Sequence, residues 1–470
     1  MDAIEIMTTN GDLTEVNMTD VEALTLLIRG KILLPNSNGY DDARQIWNAM
    51  IDRRPAIIIQ CNGPADVVTS VNFARAHGLL VSVRGGGHNV AGNAVCDGGL
   101  MIDLSMMRNV HVNPDTQRAR AGGGATWGDF DAETQLYGLA TTGGLISSTG
   151  VGGLTLGGGI GWLSPSHGLA CDNLISVEVV TANGEVVTAS ETQNSDLFWG
   201  LQGGSGNFGV ATSLEFQLHP VGPIMFGGMV FYPLEVAEEV LAQFRDFMAT
   251  APDNLAAMAG IITPPDGTMV LALVAVYNGN IAEGEAALAP LRAFGTSSLD
   301  TFAPTPYRTI QTLFDAGAPS GRRYYFKSSF LNELSADAIS TVCEYAQNCP
   351  SPYSKIFIEF MRGAFSRVPR DATVFDHRSS SYNLLVIGAW PDQEDDAENR
   401  DWTRDIWGAM QPYSSGRVYV NYLGTVEDEG SDRIMAAYGP GKYEKLLALK
   451  KKYDPENLFR MNQNIRPDVG

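Results

Sequence analysis

The sequence predicts an α+β protein built from two lobes. Strand, helix and strand patterns alternate between residues 56 and 84, a unit of about thirty residues that is typical of a small parallel sheet. After Pro220 glycine becomes rarer, and longer strand and helix patterns continue to residue 412. These patterns predict a small parallel sheet in the first lobe and a mixed α+β second lobe of strands covered by helices. Residues 413–470 return to short motifs.

The elements of the first lobe follow in order. An apolar run at 56–60 predicts a strand, a helix opens near Pro64, and 79–84 predicts a second strand. Residues 175–188 predict a hairpin, because an Asn-Gly turn separates two β-rich segments. A strand with alternating polarity at 210–218 ends this lobe.

The second lobe and the C-terminal segment carry longer elements. Strands are predicted at 225–232, 268–277, 324–330, 354–361 and 381–390, and helices at 236–249 and 281–291. A lysine-rich helix over 442–453 is stopped by Asp454 and Pro455.

Charge and cysteine usage limit the classes of partner. The 470-residue chain has a formal net charge of -21, so its surface repels nucleic acid phosphates and anionic membranes. Residues 1–12 show no secretory pattern, and no apolar stretch reaches about eighteen residues, so we expect no membrane partner and a cytoplasmic location. The five cysteines form no disulfide framework and show no zinc-ligand spacing, so we expect no metal.

The first segment of chemical interest is a triple glycine after a strand, Val83-Arg84-Gly85-Gly86-Gly87-His88-Asn89. Amides of consecutive glycines can point into one concavity that suits a pyrophosphate; a plain turn is the alternative. The segment is not a Rossmann fingerprint, because no helix clearly follows and no acidic residue ends a second strand about twenty residues later.

Two further segments follow. Seven glycines fall within the thirteen residues from Thr149 to Gly161. Glycine is costly in chain entropy, so this density favours close approach of the backbone to a flat or phosphorylated ligand over a set of turns. The segment from His167 to Asn173 contains Cys171. A lone cysteine is usually an inert core residue and a lone histidine a structural one, so neither Cys171 nor His88 predicts a function by itself.

Taken in order, the three segments resemble the family named for berberine bridge enzyme, within the vanillyl-alcohol-oxidase-type flavoproteins that have a PCMH-type FAD-binding domain. The likeness extends over residues 50–467 through four further stretches: 196–210, 322–330, 419–422 and 453–465. The resemblance implies that residues 1–215 form an FAD-binding lobe of two α/β subdomains. It implies that residues 216–412 form a substrate-binding lobe, an antiparallel sheet backed by helices. Residues 413–470 would form the C-terminal module of the family and return to the first lobe.

The resemblance also implies a bicovalent FAD, with His88 bonded to the ring methyl of the flavin and Cys171 to the adjacent ring carbon. A neutral imidazole and a thiolate are both nucleophiles that can add to an electron-poor ring. Some relatives, such as hydroxynicotine oxidase, keep only the histidine link. Val151 stands where the family places a residue beside the oxygen-reactive face, and a valine there is typical of oxidases. The other residues implied to bind the cofactor are Arg84, Gly85, Gly86, Gly87, Asn89, Gly150, Gly152, Gly153, Gly157, Gly158, Gly159, Gly161, His167, Val210, Asn421 and Asn462.

The candidate base is one of two tyrosines, Tyr419 and Tyr422, which lie where the family carries its catalytic tyrosine. On one strand Tyr419 and Asn421 would share a face and Tyr422 would take the other, so we expect one tyrosine to meet substrate and favour Tyr422. A free tyrosine has a pKa near 10, so it needs a nearby cation or the oxidised flavin to act as a base near neutral pH. The candidate cations are Arg322, Arg323 and Lys327.

The implied function is an FAD-dependent oxidase that takes a hydride from an alcohol and gives the electrons to O2 as hydrogen peroxide. The substrate would be a small molecule, either a sugar hemiacetal or a secondary hydroxyl of a natural product. The alternatives are an amine oxidase, a dehydrogenase with another acceptor, or a relative that binds FAD without turnover. Arg367 falls where berberine bridge enzyme carries a catalytic glutamate, so its C–C bond-forming reaction is not implied. The sequence favours neither a monomer nor a homo-oligomer.

Overall fold

The computed structural model describes residues 3–467. Residues 1–2 and 468–470, which belong to the first predicted lobe and to the predicted C-terminal segment, lie outside the described residues. The triple-glycine segment follows a strand of a four-stranded sheet, called here the small sheet. Its strands lie in the order Lys31–Leu33, Ile57–Gln60, Leu100–Asp103 and Val81–Arg84. The last three strands are parallel, so the glycines after Arg84 leave the sheet at its carboxyl edge, where α/β sheets bind ligands.

The predicted strand–helix–strand unit is present in the small sheet. Helix Pro64–Ala76 joins Ile57–Gln60 to Val81–Arg84. The third parallel strand, Leu100–Asp103, lies between them and pairs with both. Val67, Val71 and Ala74 on the helix are fully buried against this sheet, which explains the helical spacing of apolar residues in that segment.

A second sheet, the middle sheet, completes the first lobe. Its five antiparallel strands lie in the order Val186–Ser190, Leu174–Val180, Val210–Gln217, Arg118–Gly122 and Val110–Asn113. The first two form the predicted hairpin, with Val180 opposite Val186. Two short antiparallel pairs accompany the lobe: Ala3–Met7 with Leu13–Asn17, and Leu139–Ala140 with His219–Pro220.

The third sheet, the large sheet, contains eight strands, and every pairing in it is antiparallel. Its order is Leu299–Asp300, Ile224–Pro233, Val270–Tyr277, Leu255–Ile262, Lys355–Phe360, Tyr382–Trp390 and Arg323–Leu331, with Ala303–Pro306 also paired to Ile224–Pro233. All five predicted strands are present, whereas Leu255–Ile262 was not predicted. The predicted α+β class, with an antiparallel sheet backed by helices, is confirmed.

The large sheet is buried on both faces. Helices Ala237–Met248, Ala336–Gln347 and Asp396–Ala409 pack on one face, where they cover alternate strand residues such as Ala257. The opposite face, which includes Met258, is buried among other apolar residues and looks toward the first lobe. Burial on both faces explains why these strands read as continuous apolar runs rather than as alternating ones.

The C-terminal segment returns to the first lobe through helix Pro440–Tyr453. Lys450 on this helix is fully buried, and its Nζ donates to Asn207 O at 2.8 Å and to Asp454 Oδ2 at 2.7 Å. The other α-helices of the described chain are Met18–Leu27, Tyr40–Arg44, Trp127–Thr134, Val151–Leu156, Ser164–His167, Ser195–Leu201, Ile281–Leu288, Tyr307–Ile310, Ala364–Arg367, Val426–Glu429 and Ser431–Tyr438. Within residues 3–467 no helix is both long and apolar enough to cross a membrane.

A loop of the first lobe ties the two lobes together at Asn48. The side-chain amide of Asn48 donates to Val90 O and to Tyr324 O, both at 2.9 Å, and its Oδ1 accepts from the backbone N–H of Tyr324 at 3.0 Å. The neighbouring ring of Trp47 stacks on Tyr324 with centroids 3.7 Å apart. Asn48 is buried, so these bonds are shielded from water and hold the large sheet against the triple-glycine loop.

A second contact between the lobes contains a buried acid, Asp131, on helix Trp127–Thr134. Its Oδ2 accepts from Gln311 Nε2 at 2.9 Å, while its Oδ1 has no hydrogen-bond partner. Burial raises the pKa of Asp131 to about 7. The unfolded chain ionises this group near its usual pKa of about 4, so the folded state loses stability as the pH rises from about 4 to about 7.

We therefore expect Asp131→Asn to stabilise the protein at pH 8, by about 2 kcal/mol, and to have little effect near pH 4. Asparagine keeps the oxygen that accepts from Gln311 and does not ionise. Thermal unfolding of the flavin-loaded protein between about pH 4 and 8 measures the effect. The matched control is Asp129→Asn on the same helix: Asp129 bonds Arg108 and caps the helix, so its loss should destabilise. An equal gain from Asp131→Asn at every pH would contradict this account.

Candidate active site

A cavity of about 340 Å³ lies between the glycine-rich loops of the first lobe, the C-terminal segment and the large sheet. The first lobe lines it with the loops that follow Val83 and Leu145, and the C-terminal segment lines it with residues 419–422 and 461–463. The large sheet contributes side chains from its helix-free face: Met258, Phe326, Lys355, Phe357, Glu359, Leu385 and Ile387. Glycine-rich loops and a mostly apolar wall therefore face each other across the cavity.

Two glycine loops cross at one edge of the cavity. A Cβ added to Gly86 would lie 2.3 Å from Gly150 N, and one added to Gly150 would lie 2.5 Å from Gly86 N. No side chain is tolerated at either position unless the backbone moves. Gly153 and Gly206 also line the cavity, but an added Cβ there would meet nothing within 4 Å. The loops thus pack against each other at the crossing and leave open space where they face the cavity.

His88 lines this cavity beside the glycines. Its Nε2 lies 2.9 Å from Ser148 Oγ, and Trp47 stacks on the ring at 5.2 Å between centroids. Burial lowers the pKa of His88 to about 4. The imidazole is therefore neutral near pH 7, which is the form that can act as a nucleophile.

Cys171 lies on the 3-10 turn Ala170–Asn173, fully buried in the hydrophobic core. Its Sγ is 3.7 Å from Asp172 Oδ1, and Asp172 is paired with Arg378 at 2.5 Å. Burial raises the pKa of the Cys171 thiol well above its ordinary value, and the Asp172 carboxylate adds to the shift. Cys171 is not among the residues that line the cavity, so the structure does not bring it together with His88.

Several predicted glycines pack against protein instead of lining the cavity. A Cβ on Gly157 would meet the Asn421 side chain at 2.0 Å, one on Gly159 would meet Ala170 at 2.4 Å, and one on Gly161 would meet Gly143 O at 1.8 Å. Gly158 and Gly152 are likewise outside the lining. The glycine density does reflect close backbone approach, but at these positions the neighbour is another part of the chain.

His167 and Val210 lie outside the lining of this cavity. The His167 ring stacks on His219 at 3.9 Å, and its Nε2 lies 3.2 Å from Asn278 Nδ2, outside the cavity. Val210 begins a strand of the middle sheet and packs in the core between this sheet and the small one. Both residues lie near the motifs in sequence, but the strand or helix that carries each one turns its side chain away.

Arg84 and Val151 also lie outside the lining. The Arg84 guanidinium donates to Ala43 O, and its Nε is buried without a partner in the described chain. Val151 begins helix Val151–Leu156 with a fully buried side chain. Its predicted place beside a flavin stays a prediction.

Tyr422 and Glu359 form a hydrogen-bonded pair in the cavity wall. The Tyr422 hydroxyl donates to Glu359 Oε1 at 2.9 Å, and Asn383 Nδ2 donates to Glu359 Oε2 at 2.7 Å. Burial raises the pKa of Glu359, and burial together with the neighbouring carboxylate raises the pKa of Tyr422 well above 10. The Tyr422 proton thus has an acceptor ready, while a free phenolate at this position is disfavoured.

Tyr419 also lines the cavity but has a different set of partners. Its hydroxyl oxygen accepts from Gly159 N–H and from Asn421 Nδ2, both at 2.8 Å. The Tyr419 and Tyr422 rings meet edge to face at 4.9 Å. The expected strand is absent, because residues 420–422 form a 3-10 turn, so both tyrosines and Asn421 reach the cavity. The strand that was the reason for choosing one tyrosine is therefore absent, and which of the two meets substrate stays a prediction.

The three cations predicted to activate a tyrosine are engaged elsewhere. Lys327 pairs with Asp428 and Glu429, and Arg323 pairs with Asp396. Arg322 lies over the Tyr353 ring at 3.9 Å. The charged group that contacts Tyr422 is therefore an anion, Glu359, and not a cation.

Glu359 was missed by the sequence reasoning, which placed Arg367 at the position of the catalytic glutamate. Arg367 is exposed on helix Ala364–Arg367 and pairs with Asp253. Glu359 lies on strand Lys355–Phe360, with 3 % of its surface exposed. A charged residue between isoleucine and phenylalanine in a buried strand was the signal that could have found it, because such a residue is kept only when it is partnered or functional.

The residues present fit a flavin nucleotide. Gly153 and Gly206 leave room that a side chain would fill, and the glycine crossing at Gly86 presents backbone to the cavity. Asn462 lines the cavity with a buried Oδ1 that has no partner in the described chain. Such an orphaned acceptor suits an N–H or hydroxyl donor of a bound ligand. Neutral His88 adds a nucleophile of the kind that a covalent flavin requires.

Comparisons with known proteins agree with this geometry. The family model described as FAD binding domain matches residues 55–190, and the model described as berberine and berberine like matches residues 418–466. An FAD-linked oxidoreductase of Dictyostelium discoideum is 33 % identical over 94 % of this chain and 95 % of its own length.

Two solved structures share the fold along nearly the whole chain. The crystal structure of 6-hydroxy-D-nicotine oxidase from Arthrobacter nicotinovorans superposes with a TM-score of 0.86 at 28 % identity, covering 94 % of this chain and 98 % of its own. The glucooligosaccharide oxidase of Acremonium strictum, described as showing a novel flavinylation, superposes with a TM-score of 0.84 at 26 % identity, covering 96 % and 99 %. One acts on a nicotine derivative and the other on oligosaccharides, by their names.

Proposed function

This chain belongs to the berberine and berberine-like family of FAD-dependent oxidoreductases, and from that premise we propose that it is an oxidase of a small-molecule alcohol. The observation that carries the proposal is the hydrogen bond between half-buried Tyr422 and buried Glu359, which line one cavity with His88 and the glycine loops. A proton acceptor within the same cavity as the glycine loops supports the proposal.

In this proposal residues 1–215 with 413–470 form the FAD-binding lobe, and residues 216–412 form the substrate-binding lobe. Bound FAD supplies an acceptor for the hydrogen and two electrons that leave the substrate carbon, and O2 then takes the electrons to give hydrogen peroxide. The glycine loops from Gly85 to Gly87 and at Gly150 and Gly153 hold the nucleotide. Asn89 supplies a polar contact from the triple-glycine loop, and Asn421 and Asn462 supply polar contacts from the C-terminal segment.

His88 and Cys171 are proposed as the two covalent links to the flavin. His88 lines the cavity as a neutral imidazole, which supports the first link directly. Cys171 is next to the cavity wall, since its backbone N–H donates to Gly158 O and Gly158 packs against Tyr419. The second link requires the Cys171 thiol to lose its proton, and the nearby Arg378 guanidinium partly offsets the cost of a thiolate there.

The protein itself moves the substrate proton. A hydroxyl group that approaches Tyr422 can give its proton to the tyrosine oxygen while the tyrosine proton passes to Glu359. Asn383 holds the Glu359 carboxylate in place at 2.7 Å from Oε2. The apolar wall around the pair excludes water, which keeps competing proton donors away.

Amine oxidation is the second candidate, and Glu359 is the observation that favours it. A buried carboxylate can pair with a substrate ammonium, and the structurally similar 6-hydroxy-D-nicotine oxidase is named for a nitrogen-containing substrate. Initial rates with matched pairs of aromatic alcohols and amines separate the two candidates. Turnover of amines alone would replace the alcohol assignment.

Oxidase function itself is tested without knowing the substrate. The purified flavoprotein is reduced with one equivalent of dithionite without air and then mixed with air-saturated buffer. We expect full recovery of the yellow flavin within seconds, with one hydrogen peroxide formed per flavin. Reoxidation that takes many minutes, or that needs a quinone acceptor, would identify a dehydrogenase. Fast reoxidation without turnover of any alcohol or amine would favour the alternative that this protein binds FAD without catalysing a reaction.

A further inference from the structure

One strand of the large sheet spans the substrate side of the cavity. Lys355, Phe357 and Glu359 occupy alternate positions of strand Lys355–Phe360, and all three line the cavity. Alternate residues of a strand share a face, and each residue advances about 3.3 Å, so Lys355 and Glu359 are about 13 Å apart along the strand. The cavity therefore has a cationic end and a proton-accepting end on the same wall.

Apolar side chains fill the wall between these two ends. Phe357 meets Phe314 edge to face with centroids 5.4 Å apart, and Phe326 meets the Tyr422 ring at 6.3 Å. Met258, Leu385 and Ile387 complete this part of the lining. Sugar hydroxyl groups would find few hydrogen-bond partners along this wall, whereas flat apolar rings would pack on it.

Lys355 is a cation with neutral partners. Its Nζ donates to Gly317 O at 2.8 Å and to Tyr353 O at 3.0 Å, which leaves one of the three ammonium protons unassigned. In the described chain no carboxylate is paired with it, and the charged side chain that acts on it is another cation, Arg322. Burial and this like charge lower the pKa of Lys355 to about 8. Partial burial of a cation that has no anionic partner costs desolvation free energy, and a bound anion would offset this cost.

Resting on the oxidase function proposed above, we propose that Lys355 anchors an anionic group of the substrate. The substrate is then an aromatic alcohol of two or three rings, with its reacting hydroxyl at Tyr422 and Glu359 and a carboxylate at the opposite end, on Lys355. The rings between lie on Phe357, Phe314 and Phe326. The acidic chain, with a net charge of -21, repels such an anion at most of its surface, so binding would be confined to this site.

Ligand binding tests the anchor separately from catalysis. Biphenyl-4-carboxylate and its neutral amide lack the reacting hydroxyl, so their affinities for the flavin-loaded protein can be measured by titration of the visible flavin spectrum and by calorimetry. We expect the carboxylate to bind about tenfold more tightly than the amide in the wild type. In Lys355→Gln this preference should disappear, and in Lys355→Arg part of it should return.

The exposed lysine Lys451 provides the matched control, since Lys451→Gln removes the same charge from the C-terminal helix. This variant should keep the tenfold preference. Equal affinities in the wild type, or an unchanged preference in Lys355→Gln, would overturn the anchor. The hydroxymethyl derivative, 4'-(hydroxymethyl)biphenyl-4-carboxylate, separates the two proposals: binding through Lys355 without turnover would support the anchor while contradicting alcohol oxidation.

Discussion

Turnover is expected to fall by about 10²- to 10⁴-fold when Tyr422 is replaced by phenylalanine, while the protein keeps its flavin. The Tyr422 hydroxyl donates to Glu359 Oε1 at 2.9 Å and faces the cavity, so its removal breaks the route from substrate to carboxylate. The phenylalanine ring keeps the edge contacts with Tyr419 and Phe326. The measurement is kcat with any alcohol that the wild type oxidises, together with flavin content per chain.

Tyr419→Phe is the matched control. The Tyr419 oxygen accepts two hydrogen bonds from Gly159 and Asn421, so this variant should lose stability and flavin affinity with less than about a tenfold loss of kcat. The reverse pattern, with a large loss for Tyr419→Phe and none for Tyr422→Phe, would transfer the role of base to Tyr419.

The same pair predicts a pH dependence. Glu359 must be ionised to accept the proton, and burial raises its pKa above the ordinary glutamate value. kcat/KM should therefore rise with pH through an apparent pKa above about 4.3, which belongs to the coupled pair. Glu359→Gln keeps the shape of the side chain, but its amide has one acceptor oxygen where the carboxylate has two, and it cannot take up the proton. The variant should therefore lose this rise together with most of kcat. A rise that persists in Glu359→Gln would show that another group titrates.

The second large effect concerns the flavin linkage. Acid precipitation of the wild type should leave the yellow colour in the pellet. If both proposed links form, His88→Ala and Cys171→Ala should each keep a yellow pellet, and the double variant should release all of its flavin to the supernatant. Release from His88→Ala alone would establish a histidine-only link, consistent with the absence of Cys171 from the cavity lining. Release from the wild type would contradict both links.

Local patterns in the sequence predicted much of the fold. The strand–helix–strand unit, the Asn-Gly hairpin and five strands of the large sheet depend on periodicity and turn residues, which are local. Strand Leu255–Ile262 was missed because its alanines and glycine give no alternation and its bulky β-branched residues stand only at its end, Ile261 and Ile262. Pairing with its two neighbouring strands makes the segment a strand.

The candidate site was predicted less completely, because it is assembled from distant segments. Tyr422 and Glu359 are 63 residues apart in sequence, and the residues around either one do not predict its contact with the other. The strand predicted at residues 419–422 is a 3-10 turn, and this turn presents Tyr419, Asn421 and Tyr422 together. His167 and Val210 show the opposite case, because both lie near a motif in sequence but neither side chain lines the cavity.

Asn48 has a consequence for how a ligand reaches the cavity. Its side chain is bonded to Val90 within its own lobe and to both backbone groups of Tyr324 in the other lobe. A hinge rotation that separates the lobes would have to break both bonds to Tyr324 at once. We therefore expect ligand entry to depend on rotamer changes of side chains, which occur in picoseconds to nanoseconds, and not on slower domain opening. Local side-chain rearrangement would then limit the association rate.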